Sequence, residues 1–373
     1  MTAETTILLT GIFAASACAL VGTFLVLRRM AMMSDAISHS ILPGLVFAYF
    51  LANGPDLLFG VFGASLAGVT TVLLVETLQR TGRVKSDAAI GIVFPALFAL
   101  GTFVVSRYFA DVHLDADAVL FGEIAFAPFD RLIVGGVDYG SQPMIVLGAI
   151  AVLNLALILL FYKELKVSTF DPGLAAALGF SPVVLHYALM TAVSVTTVGA
   201  FSAVGAILVV ALMIVPAVTA YLLTDRLALM IALSVGSGII SAVAGYYLAV
   251  ALNVSISGMM TVVAGALFAL AALFSPSHGM VARAIQRSSL RERFAADLLV
   301  MHLAHHRTAA ESIESLAAEL DWSRAWLDRV LRRATDERTV EVNAAVVTLT
   351  DHGKSNAERI TASLKPEQLG RVS

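Results

Sequence analysis

The sequence is a succession of apolar windows of nearly one length. They fall at about 6–27, 34–52, 57–78, 88–106, 143–162, 182–202, 204–223, 227–250 and 258–274. Each is close to the roughly 20 residues a helix needs to cross a bilayer. An all-α polytopic membrane protein with eight or nine transmembrane helices is therefore expected, the windows between 182 and 223 being the hardest to separate. Composition agrees, with 58% hydrophobic residues, 14% charged and a mean hydropathy of +0.87. The charge is unevenly spread: residues 1–287 hold 26 charged side chains and residues 288–373 hold 25. The chain thus reads as a large apolar block, residues 1–280, followed by a small soluble domain, residues 288–365.

The basic residues orient the spans. Arg28, Arg29, Arg80, Arg83, Lys85, Lys163, Lys166, Arg226, Arg283 and Arg287 share one side if the N-terminus lies outside, and only Arg107 and Arg131 fall on the other. Positive loops stay in the cytoplasm, so the C-terminal domain is expected there. The N-terminus carries Glu4 and no basic stretch, which reads as a retained first span and not a cleaved signal. Cys18 is the only cysteine, so neither an intrachain disulfide nor a thiolate cluster can form. A net charge of −3 gives no general case for nucleic-acid binding.

Residues 28–49 carry the chemistry. Asp35 and His39 stand four apart, on one helix face, within a segment otherwise apolar enough to enter the bilayer. Pro43 has no N–H, so the carbonyl four residues earlier, that of His39, loses its helical donor. A carboxylate, an imidazole and a carbonyl oxygen on one face suit a divalent metal. The plainer alternative is an Asp capping the helix beside a satisfied interior histidine. Ionisable groups in hydrocarbon cost roughly 2.5–3.5 kcal/mol each on insertion scales and usually mark a pathway, which favours the metal.

Other polar features are weaker. His113, Asp115 and Asp117 lie within five residues of one another in a long outer segment, 107–142. They could attract an arriving cation or meet a protein that delivers one; a solvated acidic loop is the preferred reading. Gly60, Ala64 and Gly68, and Ser237, Ser241 and Gly245, form small-residue rows read as helix packing. Pro95 and Pro216 are expected to kink their spans. Thr191, Ser194, Thr196 and Thr197 are expected to bond carbonyls of their own helix more than to line a route. On the inner side, Asp171-Pro172 starts a short helix and Gly179 stops it, exposing Leu174, Ala175 and Leu178. No stretch matches G-x-x-x-x-G-K-[ST], so energy from ATP would come from a partner.

The run Arg29, Ala31, Ser34-Asp35-Ala36-Ile37-Ser38-His39-Ser40, Leu42-Pro43-Gly44 resembles the signature of the permeases of manganese, zinc and iron ABC importers. The stretches 204–223 and 265–279 resemble the closing spans of that family, so the likeness covers about residues 5–280. It implies a plasma (inner) membrane transport subunit with no catalytic residues and no permanently bound cofactor. Asp35 and His39 would take the metal in transit. Phe170, Asp171, Ala175 and Gly179 resemble the coupling helix that docks on an ATPase subunit, the alternative being a connector on the lipid surface. The implied partners are that ATPase, an extracytoplasmic metal-binding protein, a second permease chain and membrane lipid.

The tail reads as helix, helix-turn-helix, strand-rich wing and last helix. It resembles the winged-helix domain of metal-dependent bacterial repressors. Arg324, Arg329, Arg332 and Arg333 could meet phosphates, yet residues 288–373 hold 12 basic and 13 acidic residues, a poor balance for DNA. A regulatory or interaction module is preferred to DNA binding. His302, His305 and His306 invite a metal-sensing reading, but without nearby carboxylates a solvated face is expected.

Carboxylate and imidazole suit manganese, iron(II) or zinc, and the absence of thiolates disfavours copper(I). Manganese ranks first because of the appended domain. Two other classes fit parts of the chain. An ion-coupled secondary carrier should have more intramembrane carboxylates than Asp35 and Glu76. A membrane-anchored regulator would need far fewer spans.

Overall fold

In the computed structural model the protein divides into two compact units, Met1–Gly279 and Met280–Ser373. Residues 2–52, 57–108, 124–134, 137–275, 279–305, 310–343 and 345–363 are described. Among them nine segments are long and apolar enough to cross a membrane.

The first unit is organised on α1 (Ala3–Leu27), which is apolar on every side, the pattern of a helix surrounded by others. From Ala14 to Leu25 every residue except Ser16 is buried. The next window is divided. α2 (Met32–Ser40) and α3 (Leu42–Ala52) meet at Ile41, which keeps helical dihedrals while the ladder fails around Pro43. α4 (Leu57–Arg80) and α5 (Ser86–Tyr108) follow, and α2 packs against both. A two-stranded antiparallel ribbon, β1 (Arg131–Val134) and β2 (Val137–Ser141), lies in the segment read as a loop. It leads into α6 (Gln142–Leu160), then α7 (Tyr162–Phe170) and the short α8 (Pro172–Ala177).

α9 (Pro182–Val204) and α10 (Ala206–Leu223) are the pair the sequence separates least clearly. Gly205 divides them at φ 81°, ψ 161°, backbone open essentially to glycine alone. α11 (Leu227–Leu252) and α12 (Ile256–Phe274) complete the unit, and α1 packs against α6, α9, α10 and α11. Pro95 and Pro216 each lie inside a helix that continues through them.

In lipid, helices gain little from hiding apolar surface from one another, so close packing by small residues matters more. A Cβ on Gly22 would strike the Met213 carbonyl, one on Gly245 the Met260 backbone, and Gly44 and Gly63 exclude each other's side chains in the same way. Gly68 packs on Ser194 as its row predicts, but Gly60 does not: its nearest outside neighbour would be a Leu45 methyl at 3.9 Å. Asn154 on α6 joins three helices, donating to the Ala17 carbonyl at 3.2 Å and to Thr196 Oγ1 at 2.8 Å. Thr191 and Thr196 bond carbonyls of their own helix, whereas Ser194 crosses to the Ser65 carbonyl on α4.

The second unit comprises α13 (Met280–His305), β3 (Ala310–Ser312), α14 (Ile313–Glu319), α15 (Arg324–Asp336), β4 (Val340–Asn343), β5 (Val346–Leu349) and α16 (Asp351–Ser363). The strands form an antiparallel sheet in the order β3-β5-β4. Leu299, Leu303, Leu316, Leu327, Val330 and Val347 are central in its core.

Candidate functional site

Two turns of α2 place the chemistry. Asp35 Oδ1 lies 3.5 Å from His39 Nε2, and both side chains keep about a third of their exposure, 35% and 34%. Bonds of roughly 2.1 Å from these two atoms to one ion would subtend about 110°, an ordinary angle for a first-row metal. Around the pair Ser34, Ser38 and Ser40 are buried. Ser38 donates to the Ser34 carbonyl, and Ser40 shares a hydrogen bond of 2.6 Å with Thr71 on α4. Their hydroxyls are thereby engaged, and the free rim of the site belongs to Asp35 and His39. The His39 ring stands 5.8 Å from the ring of Phe94 on α5, which limits its swing. Pro43 packs on Gly101 of α5, where a Cβ would come within 2.9 Å of the proline ring. The proline that frees the His39 carbonyl is therefore itself fixed.

His113, Asp115 and Asp117 lie outside the described residues. Of the segment expected to meet an ATPase, Asp171 caps α8, accepting from the Leu174 N–H at 2.9 Å, with Pro172 at the first helical position. Gly179 stops it at φ 88°, its N–H and that of Phe180 closing on the Ala176 and Ala175 carbonyls. Phe170, Leu174 and Leu178 are exposed, but Ala175 is fully buried. The expected surface thus loses Ala175. Its methyl faces inward because the capped turn presents Leu174 and Leu178 outward, and so it serves the fit of the segment.

Sequence reasoning missed a second polar centre. Arg28, just after α1, donates to Ser168 Oγ at 3.0 Å and Thr169 Oγ1 at 3.2 Å on α7, and to His186 Nδ1 at 3.2 Å on α9. His186 Nε2 in turn meets Glu76 on α4, whose carboxylate also accepts from the Tyr187 hydroxyl at 2.7 Å and pairs with Arg80 at 3.8 Å. Burial lowers the Arg28 guanidinium from its ordinary value. A cavity of about 660 Å³ opens among Arg28, Glu76, Arg80, Ser168, Pro172 and His186. The only sequence signal was a Glu and a His, each near the end of a span.

The bundle matches a known group: the profile of the ABC 3 transport family covers residues 4–275. This chain belongs to the ABC 3 transport family. Among the ABC 3 proteins it is similar to is the zinc transport system membrane protein TroD of Treponema pallidum, 46% identical over 357 residues, 94% of this chain and 97% of that protein. The manganese transport system membrane protein MntD of Bacillus subtilis is 46% identical over 292 residues, 78% of this chain and 99% of that protein. Among solved structures, PsaBC from Streptococcus pneumoniae in complex with Fab has 30% identity and a TM-score of 0.62, covering 74% of this chain and 94% of that one. The ABC 3 profile ends within the first unit. The likeness to TroD is longer than that unit and continues into the second. Membership of the ABC 3 family and the nine apolar helices among the described residues make the chain a multi-pass inner-membrane transport subunit.

Proposed function

We propose that this chain is the permease subunit of an ATP-driven importer of a divalent transition-metal ion: manganese, zinc or iron(II). The observation that carries the proposal is the Asp35–His39 pair, 3.5 Å apart on a proline-interrupted span. One carboxylate oxygen and one imidazole nitrogen suit these three ions and disfavour copper(I). Two protein ligands leave most of the coordination sphere to water, backbone oxygen or a partner chain. Such a site holds an ion weakly enough to release it, which is what transfer requires. Manganese ranked first from the sequence because of the appended domain. A domain-sized likeness is shared with a relative named for zinc, so the appendage does not rank the cargo.

The N-terminus lies outside, as the basic residues require, and the second unit lies in the cytoplasm. Phe170, Leu174 and Leu178 form the apolar face on which an ATPase subunit docks, and Arg28 ties that segment to α1 and α9. An extracytoplasmic metal-binding protein delivers the ion, and a second permease chain completes the pathway. The second unit is winged-helix-like; the order of its helices and the hairpin of β4 and β5 support this reading. The four arginines named above have partners within the unit: Arg333 with Glu337 at 3.1 Å, Arg329 over the Trp326 ring, Arg324 facing Asp328 and Arg332 donating to the Asp328 carbonyl. That favours a regulatory module over a DNA reader. Glu76 is committed to Tyr187, His186 and Arg80, which removes it as the spare carboxylate of an ion-coupled carrier.

The test is metal accumulation in cells carrying Asp35→Ala or His39→Ala. Both variants should reach the membrane at normal abundance and accumulate no manganese, zinc or iron above the transporter-deleted background. Normal accumulation by both would end the proposal.

A further inference from the structure

The second unit brings together three side chains that the sequence keeps apart. His302 lies near the end of α13, Glu311 is the middle residue of β3, and Glu319 ends α14. His302 Nε2 lies 3.0 Å from Glu319 Oε2 and 3.5 Å from Glu311 Oε2. One ligand atom from each of the three falls within 4.8 Å of the other two. The histidine side chain keeps 20% of its exposure and the Glu311 side chain only 9%, whereas Glu319 keeps 46%. The group is thus partly shielded from solvent, with two of its donors mostly buried and the third half-exposed.

We propose that His302, Glu311 and Glu319 bind a divalent first-row metal ion, separately from the transfer site on α2. For bonds of roughly 2.1 Å, the two nitrogen-to-oxygen separations correspond to about 90° and 110° at a shared ion. Both are usual for three protein ligands with water completing the sphere. One nitrogen and two carboxylate oxygens suit manganese, iron(II) or zinc, and carry two negative charges to meet the two of the cation. The donors also come from three different elements. An ion there would fasten the end of α13 to β3 and α14, making the second unit stiffer when metal is plentiful. The expectation that the tail histidines lack carboxylate support is corrected for His302: its carboxylates arrive from β3 and α14, nine and seventeen residues on. His305 instead bonds the Met301 carbonyl, and His306 lies outside the described residues.

The test uses the full-length chain in detergent or nanodiscs, with manganese or zinc chloride as the probe and bound metal counted per chain. Asp35→Ala/His39→Ala removes the transfer site and should leave one tightly bound ion. Adding Glu311→Gln and Glu319→Gln, changes that preserve side-chain shape, should weaken that ion by about 100-fold or more, since even outer-shell changes cost 10–100-fold. In the unsubstituted protein, hydrogen exchange across residues 299–305 and 310–320 should slow when metal is added, a readout independent of how any variant folds. No ion retained by the double variant, undiminished binding after the two glutamine substitutions, or unchanged exchange with either metal would each overturn the proposal. The proposal does not rest on the transport reading: loss of accumulation in Asp35 and His39 variants tests one site, and these measurements test the other.

Discussion

Arg28 donates to His186 Nδ1 across 3.2 Å, although 158 positions separate the two residues in the chain. A guanidinium can only donate, so Nδ1 must accept and the ring proton sits on Nε2, which faces Glu76. His186 therefore passes an interaction from the end of α1 to the end of α4, and the same Arg28 holds α7 through Ser168 and Thr169. Movement imposed on the α7–α8 segment would reach three spans through one side chain.

Arg28→Ala should uncouple the transporter. Hydrogen bonds to charged groups contribute about 1.5–3 kcal/mol, and a loss at the low end corresponds to roughly tenfold. In reconstituted complexes, metal moved per ATP hydrolysed is expected to fall by about that factor while hydrolysis continues. An unchanged ratio would remove Arg28 from coupling.

Pro43→Ala gives the His39 carbonyl its helical donor back. Proline inside a helix costs about 3 kcal/mol, so joining α2 to α3 should hold or raise the melting temperature in detergent. Metal accumulation should drop at the same time. If accumulation stays normal, the liberated carbonyl plays no part in transfer.

Glycine contacts can be tested as a pair. Gly44→Val drives a side chain into the Gly63 carbonyl, and overpacking of this kind costs at least about 1–3 kcal/mol. Gly60→Val meets little beyond a Leu45 methyl. Membrane abundance and thermal stability should fall sharply for the first and hardly change for the second.

The β1–β2 ribbon should loosen in acid. Arg131 lies 2.5 Å from Asp138 and, with the Gly140 N–H, holds that carboxyl below its usual range. The folded form thus binds its proton less readily than the unfolded chain. The contribution is present above the ordinary carboxylate range and is lost as pH falls through the lowered value. Hydrogen exchange in 131–134 and 137–141 should accelerate in that acid window and should do so less in Asp138→Asn, which has no charge to lose.

The spans were legible because a bilayer imposes one length on them, and the closeness of Asp35 and His39 because both side chains lie on one helix. The capped α8 was legible from Asp171, Pro172 and Gly179, each of which acts on its own neighbours. What escaped was whatever needed a distant partner. Glu76 and His186 meet across 110 positions, and nothing local distinguishes them from ordinary end-of-span polar residues. Likewise His302 gave no sign of Glu311 and Glu319, since only the folding of β3 and α14 against α13 delivers them. Ala175 was misjudged because six residues of helix are too few for periodicity to tell an inner face from an outer one.

The burial of α1 bears on how the protein is made. It leaves the ribosome well before its partners α10 and α11, which are synthesised some two hundred residues later, so it must wait in lipid without them. Its polar side chains are provisioned for that interval. Thr6, Thr10, Ser16 and Thr23 each donate to a carbonyl four residues back, at 3.1, 2.7, 2.7 and 2.8 Å. Every one of those bonds forms as soon as the helix does. The hub of the finished bundle is thereby a segment able to persist alone until the rest of the chain arrives to surround it.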